Sequence, residues 1–184
     1  MKVDNIANKL KHANLFDKTV ILRRHEFLCT KDSIDQHIYW VDSGSLRIFM
    51  MDGEEERNIR FGYSDNLIVS LDSFLSGKPT DFYIQAIRKT TVRVANKSSL
   101  QQFIQSAPDN LILWNQILED LILQQVEREK DILISSPRER YERILKRSPR
   151  LFQEIPNKYI ANYLRMSPET LSRLQKSWFQ SRFI

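Results

Sequence analysis

The spacing of apolar residues along the chain changes twice. Between Val3 and Leu15, Val3, Ile6 and Leu10 fall three and four apart, which predicts one amphipathic helix. From Thr19 to Asn96 the pattern shortens to runs rich in Val, Ile, Phe and Tyr, broken by turn residues. These runs are Thr19–Leu22, Glu26–Cys29, His37–Val41, Ser45–Met51, Arg57–Phe61, Asn66–Leu71, Phe82–Ala86 and Thr91–Ala95. Short strands at this spacing predict a β-sandwich or barrel of jelly-roll type. All four glycines lie in this region. Ser43-Gly44 and Asp52-Gly53 are hairpin signals, and Gly62 and Gly77 stand beside strands where a positive φ is expected.

After Asn96 the helical spacing returns. Ser98 to Ser106 reads as a short helix, and Pro108-Asp109 opens a long one running to about Ile134. Within it Leu111, Trp114, Leu118, Leu121 and Gln125 recur at three and four, the spacing of a helix–helix seam. Ile112, Leu113, Ile117, Ile122 and Leu123 widen the apolar face, so that one side can pack on the strands while the other pairs with a second copy. The simpler alternative is a helix buried only against its own domain. Glu127 to Lys130 reads as a polar end that projects from the core.

Ser135-Ser136-Pro137 stops one helix and starts the next. Arg138 to Lys146 is predicted helical, with Tyr141, Ile144 and Leu145 inward and Arg140, Arg143 and Arg147 outward. Ser148-Pro149 breaks it, and Leu151 to Ile155 leads into IPNKYIANYLRMSPETLSRLQK. Here two amphipathic patterns meet at Arg165-Met166-Ser167. Ser167 can accept a backbone N–H of the following turn, and Pro168 sits where its missing N–H costs nothing. The first helix would bury Ile160, Ala161 and Leu164, and the second Leu171 and Leu174. Packed at a steep angle they form a helix-turn-helix. The second helix then presents Glu169, Thr170, Ser172, Arg173 and Lys176, side chains able to reach base edges and phosphates in a major groove. The predicted regions are 1–107, 108–134 and 135–184.

Any small helical domain can contain two such helices, so charge has to separate the readings. The chain of 184 residues carries a net charge of +5, yet from Arg138 onward it has 11 Lys+Arg against 4 Asp+Glu, leaving the rest slightly acidic. Basic charge gathered on a helix-turn-helix is the footprint of phosphate binding. Composition narrows the alternatives. No stretch approaches the length of a membrane span, and Met1 to Leu15 lacks the apolar run of a signal peptide, so a cytoplasmic protein is expected. Cys29 is the only cysteine, which excludes an internal disulfide, a CxxC pair and a four-thiolate cluster; it is expected to pack as a small hydrophobe. His12, His25 and His37 lie at no metal-ligand spacing, and no metal or cofactor is expected. An enzyme on such a roll would need His and carboxylate ligands converging across strands, and His25, Glu26 and His37 have no matching second motif. Cys29 and His25, four apart, do not make a nucleophile pair. An enzyme is therefore not expected.

The order strands, long helix, hinge and basic helix-turn-helix, together with IANYLRMSPETLSRL, resembles the Crp/Fnr family of bacterial transcription regulators. WVDSGSLRIFMMDGEE is similar to the family's glycine-containing turn followed by a strand and hairpin. The resemblance implies an α+β chain: an N-terminal double-stranded β-roll (jelly roll) of cyclic-nucleotide-binding type, a long dimerisation helix, and a C-terminal helix-turn-helix domain. It implies a homodimer on palindromic double-stranded DNA, with Glu169 and Arg173 on base edges and Ser167 and Thr170 on phosphate. Arg165 and Lys176 add phosphate contacts by their charge. RNA polymerase and a small-molecule effector are the further candidate partners, and a membrane is not.

Departures from the family qualify this picture. Its cyclic-nucleotide members carry a Gly-Glu-Leu element, whose Glu takes the ribose hydroxyl, and an Arg-Ser/Thr-Ala element, whose Arg pairs the phosphate. Here these stretches read Val69-Ser70-Leu71 and Thr80-Asp81-Phe82. No arginine lies between Arg60 and Arg88, and Asp81 would repel a phosphate. Ser70, Leu71, Thr80 and Asp81 therefore mark the effector pocket, but cyclic AMP or GMP is not expected to fill it. Arg165 stands where the turn usually has glycine. Gln175 to Ile184 is too short for the family's β-hairpin wing, so a domain lacking a full wing is expected, with Trp178, Phe179 and Phe183 packing back onto it. The competing reading is a degenerate regulator that senses a ligand or binds a protein without binding DNA.

Overall fold

The short apolar runs form eight strands, each ending within two residues of the predicted bounds: β1 (Lys18–Leu22), β2 (Phe27–Cys29), β3 (His37–Ser43), β4 (Ser45–Asp52), β5 (Glu55–Tyr63), β6 (Leu67–Val69), β7 (Tyr83–Ala86) and β8 (Thr90–Asn96). The structure is a computed structural model that describes residues 15–180. Of the helix expected over Val3 to Leu15, only Leu15 falls among the described residues, and it is buried. The described helices are α1 (Leu71–Ser76), α2 (Lys97–Ser106), α3 (Pro108–Leu133), α4 (Pro137–Arg147), α5 (Leu151–Glu154), α6 (Asn157–Tyr163) and α7 (Pro168–Gln180).

The strands pair antiparallel in two four-stranded sheets, β1-β8-β3-β6 and β2-β7-β4-β5. Leu22, Tyr39, Val41, Val92 and Val94 of the first face Cys29, Leu46, Ile48, Ile84 and Ala86 of the second. The other face of the first sheet sets Ile38, Trp40 and Ala95 against Phe74, Leu100, Leu113 and Ile117. β3 is thus buried on both faces, which explains why HIYWV is a continuous apolar run instead of an alternating one.

Two details differ from expectation. The apolar run predicts a strand up to Leu71; the chain instead turns at Ser70 into α1, where the Phe74 N–H bonds the Ser70 carbonyl at 2.8 Å. Gly77 has a positive φ, 71°, as expected, but Gly62 does not. Gly62 lies inside β5, and a Cβ there would come within 2.4 Å of Ile68 Cδ1. Its small size makes room for a core side chain.

The chain divides into two compact units, one up to Leu121 and one from Ile122, with the division inside α3. In the second, Tyr141, Ile144, Leu151, Ile155, Ile160, Ala161, Leu164 and Leu171 are buried. Tyr141 meets Phe152 and Trp178 edge-on, at ring separations of 5.5 and 6.3 Å. Trp178 therefore packs back as expected; the Phe179 side chain and Phe183 lie outside the described residues.

Of the arginines expected on the outer face of α4, Arg147 is exposed, but Arg140 is buried and Arg143 half-buried, and Arg143 and Arg147 both reach back to α3. Asp131, with no exposed surface, takes Arg143 Nε at 3.1 Å and Arg147 Nη2 at 2.6 Å, and Glu127 takes Arg143 Nη2 at 2.9 Å. Arg128 stacks on the Tyr163 ring at 3.9 Å and donates to its carbonyl at 3.0 Å. The polar end of α3 is consequently held within the second unit. Guanidinium planes can cover apolar surface while their edges bond carboxylates, so the charged run does not require an exposed face.

Candidate functional site

The candidate DNA-reading site is formed by α6 and α7. Ile160 and Ala161 are fully buried, and α6 closes with Leu164 N–H on the Ile160 carbonyl at 2.9 Å and Met166 N–H on the Ala161 carbonyl at 3.0 Å. Closing the helix this way puts Arg165 at a φ of 54°, the conformation that glycine would adopt freely. Arg140, expected to point outward, is 9% exposed and spans this turn. Its guanidinium donates to the carbonyls of Ile134 (2.6 Å), Ser135 (3.1 Å) and Arg165 (3.2 Å). One side chain thereby joins the end of α3 to the helix-turn-helix joint. Arg165→Gly is expected to gain about 0.5–1 kcal/mol from relief of the left-handed backbone. Thermal melting checks this, and a melting point at or below wild type would show that Arg140 has already offset the strain.

Ser167 caps α7 as predicted, its Oγ accepting the Thr170 N–H at 3.2 Å. From there Glu169, Arg173 and Lys176 are exposed, Thr170 and Ser172 are half-buried, and Leu171 is buried on the opposite side. Leu174, expected inside, is half-buried. Arg173 Nη2 lies 3.3 Å from Thr170 Oγ1. The Glu169 carboxyl is held below its ordinary range by its own backbone N–H, the Ser167 hydroxyl and the Arg173 charge. It is therefore an acceptor at neutral pH beside a donor one turn on. A pair not foreseen, Asn157 and Gln175, exchanges amide hydrogen bonds of 2.9 and 3.2 Å and fixes the start of α6 to α7. Arg165 is exposed beside this row.

Along α3, Trp114 and Leu121 are half-buried against the core beneath the first sheet. Leu111 and Gln125 are exposed, and Leu118 is half-buried. The apolar residues left in solvent are Leu111, Ile112, Ile122, Leu123, Val126 and Leu133, with Ile122 63% and Leu133 83% exposed. Exposed apolar side chains of this extent make α3 a candidate interaction surface.

Of the expected effector residues, Ser70 and Thr80 are buried, Leu71 is 39% exposed and Asp81 is exposed. What joins them is Asp72. Its carboxylate accepts the Thr80 hydroxyl at 2.8 and 2.9 Å, the Asp81 N–H at 3.1 Å and the Ser70 hydroxyl at 3.2 Å. Burial pushes this carboxyl up, but the hydrogen bonds from Thr80, the Ser73 and Asp81 backbone and Ser70 outweigh it and set it below its ordinary value. No pattern pointed to Asp72, because α1 itself was not predicted. Nearby, Asp35 accepts Tyr39 Oη at 2.9 and 3.0 Å, and its N–H bonds Ser73 Oγ at 2.9 Å. Burial raises the Cys29 thiol above its ordinary value, as befits a packing residue. Among the described residues no group of three His, Cys, Asp or Glu could hold a metal ion, and no helix is long and apolar enough to cross a membrane.

The profile of the family described as "Cyclic nucleotide-binding domain" matches residues 19–107. A comparison with curated proteins finds no matching sequence. Among solved structures, FixK2 from Bradyrhizobium japonicum aligns with a TM-score of 0.73 at 18% identity, over 89% of this chain and 85% of that one. A CooA mutant from Carboxydothermus hydrogenoformans gives 0.67 at 15%, over 89% and 77%. The c-di-GMP-responsive global regulator CLP of Xanthomonas campestris gives 0.64 at 15%, over 98% and 93%. Residues 19–107 thus match the model of the cyclic nucleotide-binding domain family, and the chain shares its fold with FixK2, CooA and CLP.

Proposed function

We propose that the protein is a homodimeric, sequence-specific DNA-binding transcription regulator that acts without cyclic AMP, in the cytoplasm, and carries out no catalysis. The observation that supports this best is the exposed row Glu169, Arg173 and Lys176 on a capped helix whose other side is sealed by Leu171. Arg173 can donate a bidentate pair to guanine, and Glu169 can accept from cytosine. Ser167 and Thr170 at the capped end, with Arg165 and Lys176, would grip phosphates and set the register. Arg140 is buried, and Arg143 and Arg147 are tied to Asp131, so these three would contribute little to phosphate binding. Selection from a random DNA library by the ligand-free protein at near-physiological salt tests the reading. A two-fold-symmetric consensus with half-sites about 34–36 Å apart is expected. No enrichment together with a flat salt dependence would refute it in favour of an interaction module that does not bind DNA.

The dimer would form along α3. The predicted seam included Trp114 and Leu121, which also pack on the first unit's core, so the exposed residues Leu111, Ile122, Val126 and Leu133, with Leu118, are the stronger part of the seam and Gln125 its polar margin. Ile122→Glu would bury two carboxylates at a symmetric interface and is expected to weaken the dimer about 100-fold or more. Leu121→Glu is expected instead to destabilise the first unit. Sedimentation and melting separate the two, and an Ile122→Glu protein that stays dimeric would place the seam elsewhere. RNA polymerase and a small-molecule effector are the further candidate partners of this reading.

A further inference from the structure

The polar cluster around Asp72 goes beyond DNA recognition and does not depend on it. Ser70 and Thr80 are each only 1% exposed, and their hydroxyls, with the Asp81 N–H, converge on one point in the roll. Without Asp72 the buried Thr80 hydroxyl would lose its acceptor, a costly arrangement in a folded interior, whereas the Ser70 hydroxyl would keep Thr80 Oγ1 at 2.9 Å and the Asp81 N–H stands at an exposed position. The three donors form an oxyanion cradle, and the group in it belongs to the chain. We propose that the Asp72 carboxylate is a resident ligand of the roll: it fills this cradle from within, so that the domain takes no phosphate-bearing ligand there.

The surroundings favour a tethered anion over a free one. A phosphate entering the cradle would displace or face the ionised Asp72 and meet Asp81 at its rim, with no arginine and only Lys78 between Arg60 and Arg88 as a countercharge. A tethered carboxylate is already positioned and loses little further freedom on settling, whereas a free ligand must meet that cost from its own contacts. The occupied cradle also fixes the loops around it. Thr80 bonds Ser33 and Asp32 through its backbone, at 3.0 and 2.8 Å, and Ser73, next to Asp72, holds the Asp35 N–H. α1 and these loops are thereby held as a bound ligand would hold them, which would make the roll independent of a cyclic nucleotide.

Thermal melting of the full chain tests this with cyclic AMP, cyclic GMP, inorganic phosphate and formate as probes, at constant ionic strength. Wild type is expected to keep its melting point with every probe. Asp72→Ala is expected to melt about 5 °C lower, and formate or phosphate, but not chloride, should restore part of that loss. Asp72→Asn, which keeps one acceptor oxygen, should fall between. A wild-type protein stabilised by either nucleotide would overturn the proposal, as would an Asp72→Ala protein that melts like wild type or responds to chloride as it does to formate. If Asp72→Ala does not fold, the wild-type and Asp72→Asn arms decide the matter alone. A failure of DNA selection leaves these outcomes unaffected.

Discussion

Arg173→Ala is expected to retain salt-dependent binding to DNA but to lose its preference for the sequence that wild type selects. Each bidentate arginine–guanine pair contributes about 1–3 kcal/mol of discrimination. A two-fold-symmetric complex would lose two of them, so the specificity ratio should fall by about 2–6 kcal/mol, or about 30-fold to 10⁴-fold. Arg173 can be truncated without disturbing a core: it is exposed, and its described contact is a 3.3 Å approach to Thr170. The variant should therefore melt close to wild type, which separates loss of reading from loss of folding. Arg173→Lys should recover phosphate attraction without the planar fork, and hence little of the sequence preference. Titration against the selected site and a scrambled one measures the ratio. A variant that still enriches the wild-type consensus would mean that Arg173 does not read bases.

The second large effect belongs to the roll. Gly44→Ala would place a Cβ 2.4 Å from the Lys89 carbonyl oxygen and 2.6 Å from Thr90 Cα, on a residue whose φ is +90°. Both obstacles are backbone, and Thr90 is tied to the same corner, its Oγ1 accepting the Ser45 N–H at 3.0 Å. Neither side can yield without parting the start of β4 from β8. Strain at positive φ and overpacking together are expected to cost about 2–6 kcal/mol, a large share of the stability of an ordinary domain. Gly53→Ala is the control: its φ is +63°, but nothing lies within 4 Å of the added Cβ, so only the backbone term of about 1–2 kcal/mol applies. Urea unfolding of the two variants measures the difference. Equal losses would show that the approach to Lys89 is not a constraint.

These two sites also differ in how well they could be read beforehand. The row on α7 was legible because its signals are local: a cap at Ser167, a proline at the first turn, leucines on one side and charge on the other. Ser43-Gly44 reads as a hairpin signal, but β3 and β4 lie in different sheets, so the turn is a corner between the sheets, and the carbonyl that makes its glycine indispensable comes from Lys89, far along the chain. Arg140, Arg143 and Arg147 read as an outer basic face because the helical period sets them opposite Tyr141 and Ile144. Asp131 and the carbonyls of Ile134 and Arg165 reach them only after α3, α4 and the turn have packed. The same holds for Asp72, whose donors come partly from a loop eight and nine residues away.

By itself, the amino-acid sequence determined the eight strands, the helices after Asn96, the joint at residues 165–167 and the basic character of the last quarter. Each of these follows from side-chain period, turn chemistry and charge, which act over a few residues. Only the tertiary structure decided which strands pair, which face of α3 stays in solvent, which arginines are internal, and that a carboxylate of the roll fills its own anion cradle. Those outcomes depend on which buried donors and acceptors meet, and burial brings together groups that are distant along the chain.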